Sequence, residues 1–178
     1  MPRPAGPRAF ALLPIVLLTG CLSTHPAVAP PEDAPEFRPE AFFDGRTRGA
    51  GTLAIRGRKR QSVRVESAGR MEADGSFRLD QAITFDGRRT VRRTWRMRRS
   101  GARGYTATLT DAAGEVTGRV EGGVFHLRYR MRGPGVVLHQ RLVVAPDGRT
   151  PRTLATVRVL GIPWARLDET ITRVDTLR

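Results

Sequence analysis

The sequence predicts an all-β domain, an antiparallel up-and-down barrel of about eight to ten strands, and three observations carry that prediction. Turn dipeptides recur at short intervals: Asp44-Gly45, Asp74-Gly75, Asp86-Gly87, Ser100-Gly101, Gly122-Gly123 and Asp147-Gly148. The segments between them alternate apolar and polar residues with period two, as strands with one buried face do. No apolar stripe of helical period runs for a useful length.

The alternation is clearest in three segments. Phe77, Leu79, Gln81, Ile83 and Phe85 share one face, opposed by Arg78, Asp80, Ala82 and Thr84. Val91, Arg93, Trp95 and Met97 oppose Arg92, Thr94, Arg96 and Arg98. Phe125, Leu127, Tyr129 and Met131 oppose His126, Arg128, Arg130 and Arg132. Looser versions run through Val63 and Val65, Tyr105 to Leu109, Val116 to Val120, Val136 to Val144, and Ala155 to Val159. A barrel of this size either holds a small apolar ligand or fills its interior with side chains. A β-sandwich fits the same pattern.

The N-terminus reads as an export address. Arg3 and Arg8 precede a short apolar stretch, Phe10 to Leu18, interrupted by Pro14. A membrane-spanning helix needs roughly 20 apolar residues, so residues 1–20 read as a signal peptide. Its ending, Leu18-Thr19-Gly20-Cys21, is a lipobox. In that chemistry the cysteine thiol accepts diacylglycerol, and small residues before it give the peptidase access. Cys21 is the sole cysteine, so no intramolecular disulfide forms. Two acyl chains make a stable membrane anchor. Leu22 after the cysteine favours the outer membrane. Residues 21–39 are rich in Pro and Ala and read as a tether, leaving residues 40–178 as one β-barrel domain.

The formal charge is +14, and removal of the two arginines in residues 1–20 leaves +12. Lys59 is the only lysine; the Arg, Ala, Gly and Pro excess is typical of a GC-rich genome. Such charge points to an anionic partner. Export and the lack of a recognition helix or zinc-finger spacing exclude nucleic acid, which leaves envelope phosphates, phospholipid or lipopolysaccharide. The outward rows Arg92, Arg96, Arg98 and Arg128, Arg130, Arg132 are the candidate contacts; a solvated face is the alternative.

With the strands laid out, the chain resembles a bacterial lipoprotein family known as domain of unknown function 3833. The likeness rests on Phe42-Phe43-Asp44-Gly45, on the Leu79 to Trp95 hairpin with Arg93-Thr94-Trp95 after Asp86-Gly87, and on Tyr105, Gly114 and Gly118. It continues through Gly123, Leu127, Tyr129 and Leu160-Gly161. This chain departs from the family's pattern at Gln81, where Glu is usual, and near Gln140, Thr153 and Leu160. The resemblance implies an envelope lipoprotein with a lipocalin-like barrel and a link to fatty-acid modification; it implies no established activity.

No catalytic constellation emerges, so the expectation is a non-enzyme with neither metal nor cofactor. His25 lies in the tether, His126 faces outward, and His139 sits in a Val- and Leu-rich strand. The informative polar positions are Gln81 and Arg93, both on the apolar face. If Phe85 pairs with Arg89, Gln81 lies opposite Arg93 and Leu79 opposite Trp95. An inward Arg must be bonded or paired. It holds a fatty-acid carboxylate or phospholipid phosphate, with Trp95 and Tyr129 beside it, or it closes the barrel by stacking on Trp95 and bonding backbone carbonyls. Glu66, Glu72 or Glu169 would raise an enzymatic reading only by converging inside.

Overall fold

Four of the turn signals, Asp74-Gly75, Asp86-Gly87, Ser100-Gly101 and Gly122-Gly123, join antiparallel strands, whereas Asp44-Gly45 joins a short helix to the first strand. A computed structural model describes residues 36–87, 89–144 and 150–174; the signal peptide, Cys21, the tether to residue 35 and Asp147-Gly148 lie outside them. A short helix, α1 (Pro39–Phe43), is followed by β1 (Gly45–Ile55), β2 (Gln61–Met71), β3 (Phe77–Phe85), β4 (Arg89–Ser100) and β5 (Gly104–Leu109). Then come β6 (Val116–Glu121), β7 (Val124–Arg130), β8 (Val136–Val144), β9 (Pro151–Val159) and β10 (Ile162–Arg173). Every strand pairs with its sequence neighbour, and β10 pairs with β1 to close the barrel. Closure decides against the sandwich and removes both sheet edges. The β3–β4 register follows the predicted one: Phe85 opposite Arg89, Gln81 opposite Arg93, Leu79 opposite Trp95.

Inward positions form a main core and a smaller second cluster. Phe77, Leu79, Trp95, Met97, Tyr105, Phe125, Leu127, Tyr129 and Leu142 are all buried within the main core. Val63, Val65 and Ile83 form a smaller cluster with Leu53, Phe85 and Leu167. Burying a large apolar side chain stabilises by about 1.5–3 kcal/mol, so this lining is the main source of stability.

Helix α1 closes one end of the barrel and has no counterpart in the alternation pattern. Packing begins at Phe37, inside the stretch read as tether: its ring is buried and its N–H donates to the Gly122 carbonyl. Pro39 opens the helix, and Phe43 fills the barrel end. Arg173 donates to the carbonyls of Ala41, Phe42 and Asp44, which ties the last strand to the helix. At the other end lie the β1–β2, β3–β4, β5–β6, β7–β8 and β9–β10 turns.

Candidate binding sites

Strand register assembles a polar row inside the barrel. Thr47 of β1 opposes Ser67 of β2, Ser67 opposes Gln81 of β3, and Gln81 opposes Arg93 of β4. Gln81 is the hub: its Oε1 accepts from Arg93 Nε and from Trp95 Nε1, both at 2.9 Å. Its Nε2 donates to Ser67 Oγ at 3.3 Å. The Arg93 guanidinium lies 5.6 Å from the Trp95 ring, a cation–π distance, and Tyr129 meets Trp95 edge-on at 5.4 Å. All four residues proposed from the sequence for this site therefore meet, although Arg93 is bonded to Gln81 and not to the backbone carbonyls expected.

Glu169 faces this group from β10, which the hairpin pattern does not reveal. Its carboxyl is 6 % exposed, and burial pushes its pKa from 4.5 up to about 7, with Arg93 pulling the other way. Gly49 makes room for it: a Cβ there would stand 1.7 Å from Glu169 Oε1. Glu66 and Glu72 do not join it. Glu66 is outward beside Arg48, and Glu72 lies between Arg70 and Arg96. Burial also raises the pKa of Tyr129, and the Arg93 charge opposes the shift. The hydroxyls of Tyr129, Thr47 and Thr153 are buried without hydrogen-bond partners.

The cavity that Arg93, Gln81, Glu169 and Thr153 share measures only about 40 Å³. That admits water-sized groups, whereas pockets for drug-sized ligands run to about 300–1,000 Å³. Between these four residues the interior is nearly filled.

The outer face carries the larger concavity. Arg119, His126, Arg128, His139, Arg141 and Arg158 line a saddle of about 740 Å³ across β6 to β9. Register explains it: Arg128 opposes His139, and His126 sits between Arg119 and Arg141. Burial lowers the pKa of both histidines, and the arginines lower it further. Glu121, bridging Arg119 and His126, opposes that shift at His126. Of the arginine rows picked from sequence, only Arg128 lies here. Arg130 and Arg132 are exposed on the same side. Arg96 pairs with Glu72, and Arg98 with Asp74 at 2.5 Å. Arg92 borders a mixed-sign groove with Arg46, Arg48, Glu66 and Asp80. Alternation gave the direction of each arginine; cross-strand neighbours decide which positive charge stays available.

Among the described residues no group of His, Cys, Asp and Glu is arranged to hold a metal, and no helix is long and apolar enough to cross a membrane.

Comparison with solved structures finds the same fold elsewhere. The S-type phycobiliprotein lyase CPES from Guillardia theta superposes with a TM-score of 0.62 at 11% identity, over 78% of this chain and 93% of that one. A protein of unknown function from the DUF3598 family of Nostoc punctiforme gives 0.56 at 16% identity, over 79% of this chain and 50% of its own. These likenesses establish a lipocalin-like barrel. None of the curated proteins compared matches the sequence. The model of the family described as "Protein of unknown function (DUF3833)" matches residues 15–145, most of the chain, and the protein belongs to that family.

Proposed function

We propose that the protein is a lipid-anchored lipoprotein of the bacterial envelope, held through Cys21 in the outer membrane and facing the periplasm. It acts by binding, not catalysis, and its working surface is the basic outside of a filled barrel. One contrast carries this reading: about 40 Å³ of space between Arg93 and Glu169 inside the barrel against a basic saddle of about 740 Å³ outside. The saddle suits a phosphate-bearing envelope component, since arginine pairs carry the fork geometry that phosphate accepts.

Two measurements test it. Mass spectrometry of the protein from its own membranes is expected to find a diacylglyceryl group on Cys21; an unmodified, freely soluble chain overturns the anchor. Calorimetry with inorganic pyrophosphate is expected to show binding that Arg128→Glu with Arg158→Glu reduces at least tenfold. Equal affinity in wild type and variant overturns the saddle.

A second reading, a fatty acid or phospholipid inside the barrel, is favoured by the partnerless hydroxyls of Thr47, Tyr129 and Thr153 around Arg93. It requires the interior to open. Native mass spectrometry that finds an acyl lipid retained by the wild type and lost in Arg93→Met establishes it; an empty wild-type barrel removes it.

A further inference from the structure

The hairpin joining β9 to β10 is built against both solvent and local backbone preference. Among the described residues the strongly exposed large hydrophobics are Met71, Leu160, Ile162 and Trp164, and three of these four lie within five residues. Leu160 is 77 % exposed, Ile162 54 % and Trp164 45 %. Val159 pairs with Ile162, so the turn has two residues, Leu160 and Gly161. Their φ angles are 50° and 82°, as a type I′ turn requires. Asn or Asp is the ordinary residue at the first position; leucine is disfavoured there, and exposure disfavours it again. Trp164 stands at an irregularity of β10, between the pairs Pro163 with Arg158 and Ala165 with Val157. A bulge of this kind re-aims a side chain, here outward.

Cations flank this apolar tip. The β1–β2 turn reads Arg56-Gly57-Arg58-Lys59-Arg60, all exposed, and the Arg56 N–H donates to the Trp164 carbonyl at 2.9 Å. Arg158 Nη1 donates to the Gly161 carbonyl at 2.9 Å. Across the β7–β8 turn, Gly135 accepts from Leu160 N–H. Exposed Leu, Ile and Trp flanked by Arg and Lys is the composition of a bilayer interface, with apolar groups below the headgroups and cations at their level.

We propose that the β9–β10 tip inserts into the surface of an anionic phospholipid bilayer, with Leu160, Ile162 and Trp164 as the wedge and the β1–β2 arginines and lysine as headgroup contacts. This is independent of the interior site, and it shares only Arg158 with the saddle.

Trp95 is buried and residues 1–35 hold no tryptophan, so fluorescence changes on binding report Trp164. The full chain carrying Cys21→Ser is mixed with vesicles of phosphatidylcholine, alone or with phosphatidylglycerol. Expected are a blue shift and quenching by acyl-brominated lipid on the anionic vesicles, both falling with added salt. Leu160→Asn with Ile162→Ser is expected to abolish them while leaving the fold intact, because Asn suits the turn better than Leu. Arg58→Ser, Lys59→Ser and Arg60→Ser together are expected to weaken binding roughly a hundredfold. Unchanged Trp164 emission overturns the proposal, as does an equal response from the Leu160 and Ile162 variant. A concentration-dependent shift without vesicles overturns it in favour of a second copy of the chain.

Discussion

Glu169, the one buried carboxyl among the described residues, is matched by Gly49, where any side chain would collide with its carboxylate. A carboxyl whose pKa rises from 4.5 to about 7 on folding holds its proton more tightly in the native state. Its contribution is therefore favourable below pH 4.5, declines as pH rises towards 7, and is gone above that. Glu169→Gln is expected to remove this slope and to raise stability above pH 7 by up to about 3 kcal/mol. Urea midpoints of both proteins from pH 4 to 9 check it; parallel curves overturn it. Gln81 and Arg93 were legible at this scale because both interrupt an apolar face within one hairpin. Glu169 stood among three carboxylates whose convergence the pattern left open; its place beside Arg93 was not legible, because it reaches the site from β10 and only closure of the barrel brings the two together.

At the scale of elements, strand positions followed from period two and from Gly-containing turns, and the β3–β4 register followed from the loop between them. Helix α1 did not. Its five residues are too few to show a helical period, and what stabilises them is tertiary. The Phe37 and Phe43 rings are buried, Arg173 binds the helix carbonyls, and Tyr105 donates to Glu40 at 3.0 Å. Burial and the Glu40 carboxylate push the Tyr105 pKa up to about 12, which keeps that donor protonated throughout the physiological range. Arg173→Met removes three carbonyl contacts at the surface and is expected to cost about 1 kcal/mol. Limited proteolysis reads this locally: cleavage between residues 37 and 44 should accelerate while the rest of the barrel resists. The saddle lies between these cases. Of its arginines only Arg128 was picked out as outward, and Arg119, Arg141 and Arg158 gained meaning only through neighbours on other strands.

For the whole molecule, surface charge links pH to binding. His126 and His139 share the saddle with Arg119, Arg128, Arg141 and Arg158, and their pKa values lie below 6.5. Burial is the main cause and the arginines add to it; a bound anion offsets the arginine part, so sulfate binding is expected to tighten as pH falls below 6.5 and to take up protons. Calorimetry in buffers of different ionisation enthalpy measures that uptake; none at any pH overturns the linkage. Whole-molecule closure also governs how the chain is made. The seam joins Thr47 to Arg173, so the first strand has no second partner until β10 has emerged. During vectorial synthesis β1 is therefore a waiting edge, open to pairing with any other extended chain. The basic residues on its outer side, Arg46 and Arg48, are the kind that keep such an edge from aggregating. Loss of β10 would leave that edge permanently unsealed, which makes the final dozen residues of the barrel a checkpoint for its assembly.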